Sequence, residues 1–308
     1  MPSPILVTGS HRSGTTWVGR MLSQAPQVTY VYEPFSVGNS KGISNPNWYP
    51  YITNENEGLH RAEMERVVQL RPPLKALFEN IQGLRDAWGR IQEWAKFVRG
   101  RYAGHRPLLK DPVALCSAEW IADVFGAQVV VMIRHPLAFA GSLKKLDWQF
   151  PFEDFLRQPR LLEEHLHPFE DEIRAFAEQE QEVVDQAILL WNMLYTVVGK
   201  YRAVHDDWAF VRHEDLARAP VEEFRELYEY FDLPFTDAVQ QSVRAHSRPS
   251  NPTDPSNAIN TQRDSRSTLY TWQDRLTAEE VDRVRTETKE VAERFYGDAI
   301  FEEPMSAA

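Results

Sequence analysis

A single cysteine, Cys116, stands in the 308 residues, which excludes an intramolecular disulfide framework and a cysteine-rich metal site. No apolar run approaches the roughly 20 residues needed to span a bilayer. The N-terminus passes almost at once into strand-like sequence, without the basic segment and apolar stretch of a secretory signal. The expected compartment is therefore the cytoplasm. Positive charge is also short: 34 lysines and arginines stand against 45 aspartates and glutamates, a net charge of −11. Such a field repels polyanions, which argues against a non-specific nucleic-acid or anionic-membrane binder and still allows a local basic pocket. What remains is ordinary for a soluble globular chain, 43 % hydrophobic and 26 % charged. Nine tryptophans are many for this length; they either pack a core or line a ring-binding cleft.

Strand-type runs alternate with helical spacing along the chain. Buried-type or β-branched runs at 5–8, 28–32, 107–110, 128–133 and 208–211 read as strands. Helical patterns cover 59–102 with a break at Arg71-Pro72-Pro73, then 117–125, 138–145, an amphipathic 183–204, 220–231, and a last helix opened by Thr277 with Glu280 at the capping-box position. Trp88, Ile91, Trp94, Ala95 and Val98 share a helical face and are expected to pack into the core. The acidic stretch 153–184 reads as a solvated face. Residues 36–58 show no period yet carry Trp48, Tyr49, Tyr51 and Ile52, so they read as a long loop facing a substrate. Residues 247–268, rich in Ser, Pro, Asn and Arg, read as a flexible loop. The expected class is α/β, a central mostly parallel sheet flanked by helices, in one domain over 1–308 with no repeat and no splitting linker.

The most informative stretch is 5–22. A strand leads into a glycine-bounded turn, Gly9-x-x-x-x-Gly14-Thr15-Thr16, and then into a helix start at Trp17, Val18, Met21 and Leu22. That geometry points backbone N–H groups at an anion. The spacing resembles the ATP-binding P-loop, but Thr15 stands where the phosphate-binding lysine belongs and a basic residue, Arg12, lies inside the loop. A kinase-like ATP enzyme would need that lysine and a magnesium-holding carboxylate. Further polar clusters fall at strand ends: Glu33 before Pro34, where the backbone should be extended, then Lys110-Asp111, and Arg134 with Ser142. A parallel sheet brings such ends to one edge. An anion loop plus a separate arginine and serine describes a nucleotide phosphorylated at two places.

Here the residues match a family. Arg12-Ser13-Gly14-Thr15-Thr16-Trp17 resembles the 5′-phosphosulfate loop of sulfotransferases that use 3′-phosphoadenylyl sulfate (PAPS). Arg134-x-Pro136-x5-Ser142 resembles their 3′-phosphate motif, and Arg212-His213-Glu214-Asp215-Leu216 a further strand-end signature. The resemblance implies a P-loop-like sulfotransferase fold, PAPS as sulfuryl donor, adenosine 3′,5′-bisphosphate as product, and no required metal. It assigns Arg12 to the bridging oxygen and sulfonate, and Ser13, Gly14, Thr15 and Thr16 to the phosphosulfate. Trp17 would stack on adenine, or simply pack its helix on the sheet. Arg134, Ser142 and Arg266, with help from Arg263, would hold the 3′-phosphate. Lys110 matches the strand-end lysine of small-molecule sulfotransferases and would contact the sulfonate, but Pro112 occupies the place of their catalytic histidine. The run Val28–Pro34 resembles carbohydrate and tyrosylprotein sulfotransferases, in which a glutamate at the position of Glu33 serves as base. Asp111 is the reserve base, and His11 is expected as an exposed loop histidine. Trp48 and Tyr49 are expected to meet the acceptor, a sugar or glycoconjugate hydroxyl, or a flat natural product or lipid. A chain that binds the nucleotide without catalysis is the remaining alternative.

Overall fold

The computed structural model describes residues 2–37, 42–72, 83–253, 261–298 and 300–301. Five strands, β1 (Ile5–Gly9), β2 (Val28–Tyr32), β3 (Arg106–Lys110), β4 (Gln128–Ile133) and β5 (Ala209–Arg212), form one sheet in the order β2-β3-β1-β4-β5, every pair parallel. Val7 lies opposite Lys110 on one side and Val130 on the other. The expected strands are all present, within about a residue at each end. They form because both faces are covered, so near-continuous apolar runs can be buried.

Alternate residues feed two cores. Leu6, Leu109, Val129, Val131 and Ile133 face one layer of helices, while Ile5, Val7, Leu108, Val130 and Met132 face another. The second layer is built by helices Thr15–Leu22 and Pro220–Tyr230. The chain runs from β1 to the β2–β3 side and then crosses to β4 and β5. That reversal opens a crevice at the carboxyl ends of the strands.

Helix Val183–Val204 is amphipathic as expected, with a broad buried face: Trp191, Tyr195 and Tyr201 are at no more than 1 % exposure, while Asp185, Asn192, Thr196 and Lys200 form a narrower stripe that is part-buried or exposed. It packs against helices Pro136–Lys145 and Ala278–Tyr296. The stretch 153–184 is not simply a solvated face. Phe155, Leu161, Leu162, Leu166 and Ile173 are buried in the larger core, and the charges occupy the outer side of the same short turns. Conversely, helix Leu84–Tyr102 does not pack the stripe assigned to the core: Trp88 is 62 % and Ile91 53 % exposed. Only its last turns reach β2. There Phe97 is buried, and Gly100 passes so close that a Cβ would sit 2.2 Å from Thr29 Oγ1.

Helix ends follow local rules. Thr277 Oγ1 accepts from Glu280 N–H at 3.2 Å and Glu280 Oε2 accepts from Thr277 N–H at 2.6 Å, a complete capping box. Pro136 sits in the first turn of its helix, where its missing N–H costs nothing. Of the loop 36–58, residues 38–41 lie outside the described residues, as do 254–260 of the loop 247–268. The described part of the latter is tied down, with Ser265 Oγ donating to the Ala217 carbonyl at 2.8 Å and Asn251 Nδ2 to that of Ala245 at 2.9 Å. Among the described residues no helix is long and apolar enough to cross a membrane.

Candidate active site

The site begins where β1 ends. Gly9 has φ 139°, and a Cβ there would lie 2.4 Å from the Met132 carbonyl oxygen, so only glycine lets β4 approach the turn. Arg12 (φ 64°) and Gly14 (φ 100°) both adopt left-handed backbone, which coils the loop back on itself. Ser13 N–H and Oγ both donate to the Ser10 carbonyl, at 3.2 and 2.5 Å, so the Ser13 hydroxyl closes the loop from within. Helix Thr15–Leu22 then starts with no side-chain cap, which leaves its first N–H groups and its positive dipole end for an anion.

The core helix pins this loop to the end of β4. Tyr195 Oη lies 3.0 Å from Ser10 Oγ and accepts the Arg134 N–H at 2.7 Å, while Trp191 Nε1 donates to the Arg134 carbonyl at 2.9 Å. A cavity of about 630 Å³ opens between these elements and the segment before the last helix. Among the described residues, five cations line it, Arg12, Arg134, Lys145, Arg263 and Arg275, against one carboxylate, Glu33. The acidic chain therefore gathers positive charge at this cavity, and low-dielectric walls focus that field.

Arg12 Nε donates to Ser142 Oγ at 3.0 Å, so the two motifs read separately from the sequence touch in space. Arg134 is buried, and burial presses its guanidinium below the usual arginine range. Its Nε has no hydrogen-bond partner among the described residues and lies 3.8 Å from Glu214 Oε1. Thr15, Thr16 and Trp17 line the cavity; Trp17 also packs edge-on to His213 (5.9 Å) and Phe224 (5.3 Å). Trp17 thus packs its helix and also reaches the cavity.

Glu33 is not extended. Its φ of 41° turns the chain sharply, its N–H reaching the Lys110 carbonyl at 2.9 Å and its own carbonyl accepting from Ser36 N–H at 3.2 Å. This turn lifts the carboxylate to the cavity, where Lys110 Nζ donates to Oε1 and Ser36 Oγ donates to Oε2 at 3.0 Å. Lys110 itself is fully buried with its ammonium 4.0 Å over the Tyr32 ring. Burial lowers its pKa, and Glu33 pulls it back up. It is not among the residues that line the cavity.

Three further candidates lie elsewhere than expected. Asp111 is wholly buried, accepting Phe35 N–H on Oδ2 and Val113 N–H on Oδ1 at 2.9 Å; it shapes the backbone on either side, and burial lifts it to about 7. Tyr49 is also wholly buried, its hydroxyl accepting His11 N–H at 3.0 Å, whereas the neighbouring Trp48 lines the cavity. Arg266 is exposed and donates to the Arg218 carbonyl at 3.2 Å. The short turn Ser267–Leu269 aims it outward, and Arg263 and Arg275 occupy the cavity wall instead. His11 is not an exposed loop residue. It sits among the rings of Trp48, Phe139, Trp148 and Phe150, with Nδ1 2.6 Å from Tyr49 Oη, and burial drives its pKa down to about 3. Arg275 and Lys145 also line the wall without a prior signal in sequence, and His213 reaches it from the strand-end signature Arg212–Leu216.

The model of the sulfotransferase family matches residues 4–237. No curated protein matches the sequence. Among solved structures, sulfotransferase STF9 from Mycobacterium avium is similar at 16 % identity and a TM-score of 0.46, covering 95 % of this chain and 76 % of that one. The sulfotransferase domain of the Synechococcus PCC 7002 olefin synthase is similar at 17 % and 0.45, covering 92 % and 94 %. Mouse sulfotransferase SULT7A1, complexed with PAP, is similar at 10 % and 0.48, covering 99 % and 89 %.

Proposed function

We propose that this chain, which belongs to the sulfotransferase family, moves a sulfuryl group from PAPS to a hydroxyl of a carbohydrate or another flat-faced acceptor. The observation that carries the proposal is the cavity itself: a glycine-bounded helix start and five cations gathered around one carboxylate. The residues present fit the donor. Gly14 leaves the cradle open where a Cβ would lie 2.4 Å from His213 Nδ1, and Arg134 keeps a buried nitrogen without a partner among the described residues. Residues 1–308 are taken as one domain, since the cavity wall draws on the chain from His11 to Arg275.

When bound, PAPS supplies the sulfuryl group: the acceptor oxygen–sulfur bond forms as the bridging sulfur–oxygen bond breaks, and adenosine 3′,5′-bisphosphate is left. Gly14, Thr15 and Thr16 offer N–H and hydroxyl donors to the 5′ end, and Trp17 offers a ring face to the base. Arg134 and Ser142, with Arg263 and Arg275, hold the 3′-phosphate. Arg12 neutralises the charge that develops on the leaving oxygen. Glu33 takes the acceptor proton. Lys110 and Ser36 hold one carboxylate oxygen each, so Lys110 acts from behind Glu33 and aims it. Trp48 and Trp148 present ring surfaces to the acceptor.

The test is direct binding by titration calorimetry. Adenosine 3′,5′-bisphosphate should bind, and more tightly than ATP with magnesium. Preference for ATP would overturn the proposal. Mass-spectrometric screening of acceptors with PAPS would then identify the sulfated product.

A further inference from the structure

The strand-end signature Arg212–Leu216 has no direct task in the mechanism above, yet it delivers a buried carboxylate to the donor site. Glu214 is 6 % exposed and lies 3.8 Å from Arg134 Nε. A carboxylate beside a buried arginine ordinarily closes into short, paired hydrogen bonds at about 2.7–2.9 Å. Here it does not, and Arg134 Nε is left without a hydrogen-bond partner among the described residues.

What holds the carboxylate back is visible on its far side. Oε1 accepts the His135 N–H at 3.2 Å, and Oε2 accepts the hydroxyl of Tyr296 at 2.8 Å. Tyr296 is the last residue of helix Ala278–Tyr296, with its ring edge-on to His135 at 5.4 Å. Both oxygens therefore have donors other than the guanidinium. Arg134 receives a counter-charge at a distance, which a buried cation needs when no ligand is present. Its fork is not consumed by the pair. An arriving phosphate, however, meets a fixed like charge that cannot swing away, and like charges in a low-dielectric site repel strongly.

We propose that Glu214, held back from Arg134 by Tyr296, is a positioning residue that limits how tightly the site grips the 3′-phosphate and so lets the spent bisphosphate leave. This rests on the reading of the cavity as a PAPS site. It makes opposite predictions for two conservative changes. Glu214→Gln keeps an acceptor for His135 N–H and a partner for Tyr296 but removes the charge. Tyr296→Phe keeps the ring but frees the carboxylate to close on Arg134.

Titration calorimetry with adenosine 3′,5′-bisphosphate and with adenosine 5′-monophosphate, which lacks the 3′-phosphate, separates the outcomes. The unchanged protein should prefer the bisphosphate. Glu214→Gln should bind the bisphosphate about tenfold more tightly and Tyr296→Phe about tenfold more weakly, as expected for gain or loss of one charge-scale interaction. The monophosphate should bind all three alike, which also shows that the variants are folded. Weakening by Glu214→Gln, or tightening by Tyr296→Phe, overturns the proposal while leaving the PAPS reading intact. Equal affinity of the unchanged protein for the two nucleotides overturns that reading and this proposal with it.

Discussion

Acidification should destabilise this protein through its buried imidazoles. His11 is held down to about 3, His135 to about 4, and His213 well below its ordinary value, in each case chiefly because burial penalises the charged form. All three titrate at 6.5 once the chain is unfolded. A depressed histidine contributes stability that is fully present above the unfolded value and is lost as pH falls below it. Between pH 7 and pH 5 the unfolded chain gains about 0.7 proton per imidazole that the folded chain refuses, worth about 2 kcal/mol each and about 6 kcal/mol together. Asp111 works in the opposite sense. Its folded value of about 7 lies above the 3.8 of the unfolded chain, so its protonation over the same range returns about 2 kcal/mol to the folded state. These four groups together cost about 4 kcal/mol, a large share of a typical 5–15 kcal/mol stability. Urea unfolding followed by tryptophan fluorescence at the two pH values measures it. His11→Gln should lose about 2 kcal/mol less than the unchanged protein on acidification, one imidazole's share. Equal stability of the unchanged protein at both pH values, or an unaltered loss in His11→Gln, would refute the reasoning.

Two further outcomes are expected. Glu33→Gln should retain bisphosphate binding by calorimetry while slowing sulfuryl transfer about 10²-fold or more, the usual cost of losing a general base; near-normal turnover would move that role to another residue. Gly14→Ala should cost about 1–3 kcal/mol in chemical denaturation, because alanine at φ 100° is strained and its methyl would meet His213 Nδ1 at 2.4 Å. Pairing it with His213→Ala should recover the steric part and leave the backbone part, and recovery of neither would show that His213 does not pack there.

The sheet was legible because each strand is a short apolar or β-branched run ending in polar residues, and a doubly covered parallel sheet demands that pattern. The anion loop was legible for a similar reason: the glycines at 9 and 14 and the helix start after them are local features. Placement of side chains by distant partners was not. His11 looks exposed in sequence because its neighbours are polar, and it is buried by Trp48 and Trp148, which come from other parts of the chain. Arg266 and Arg275 are equally basic in sequence, and only the turn at Ser267–Leu269 decides which one meets the cavity. Trp88 and Ile91 fall at helical spacing with Trp94 and Val98, but β2 meets only the end of that helix, at Gly100, so their periodicity predicted burial that the sheet is too short to provide.

Tyr195 joins Ser10 in the anion loop to the backbone of Arg134 at the next strand end. One phenol, rooted in the helix Val183–Val204, thereby sets the separation between the anion loop and the end of β4. Under the proposed function, the site would work as a caliper on the span between the two anionic ends of its ligand. A cofactor of the wrong length would have to move the core helix, not merely a loop, to fit.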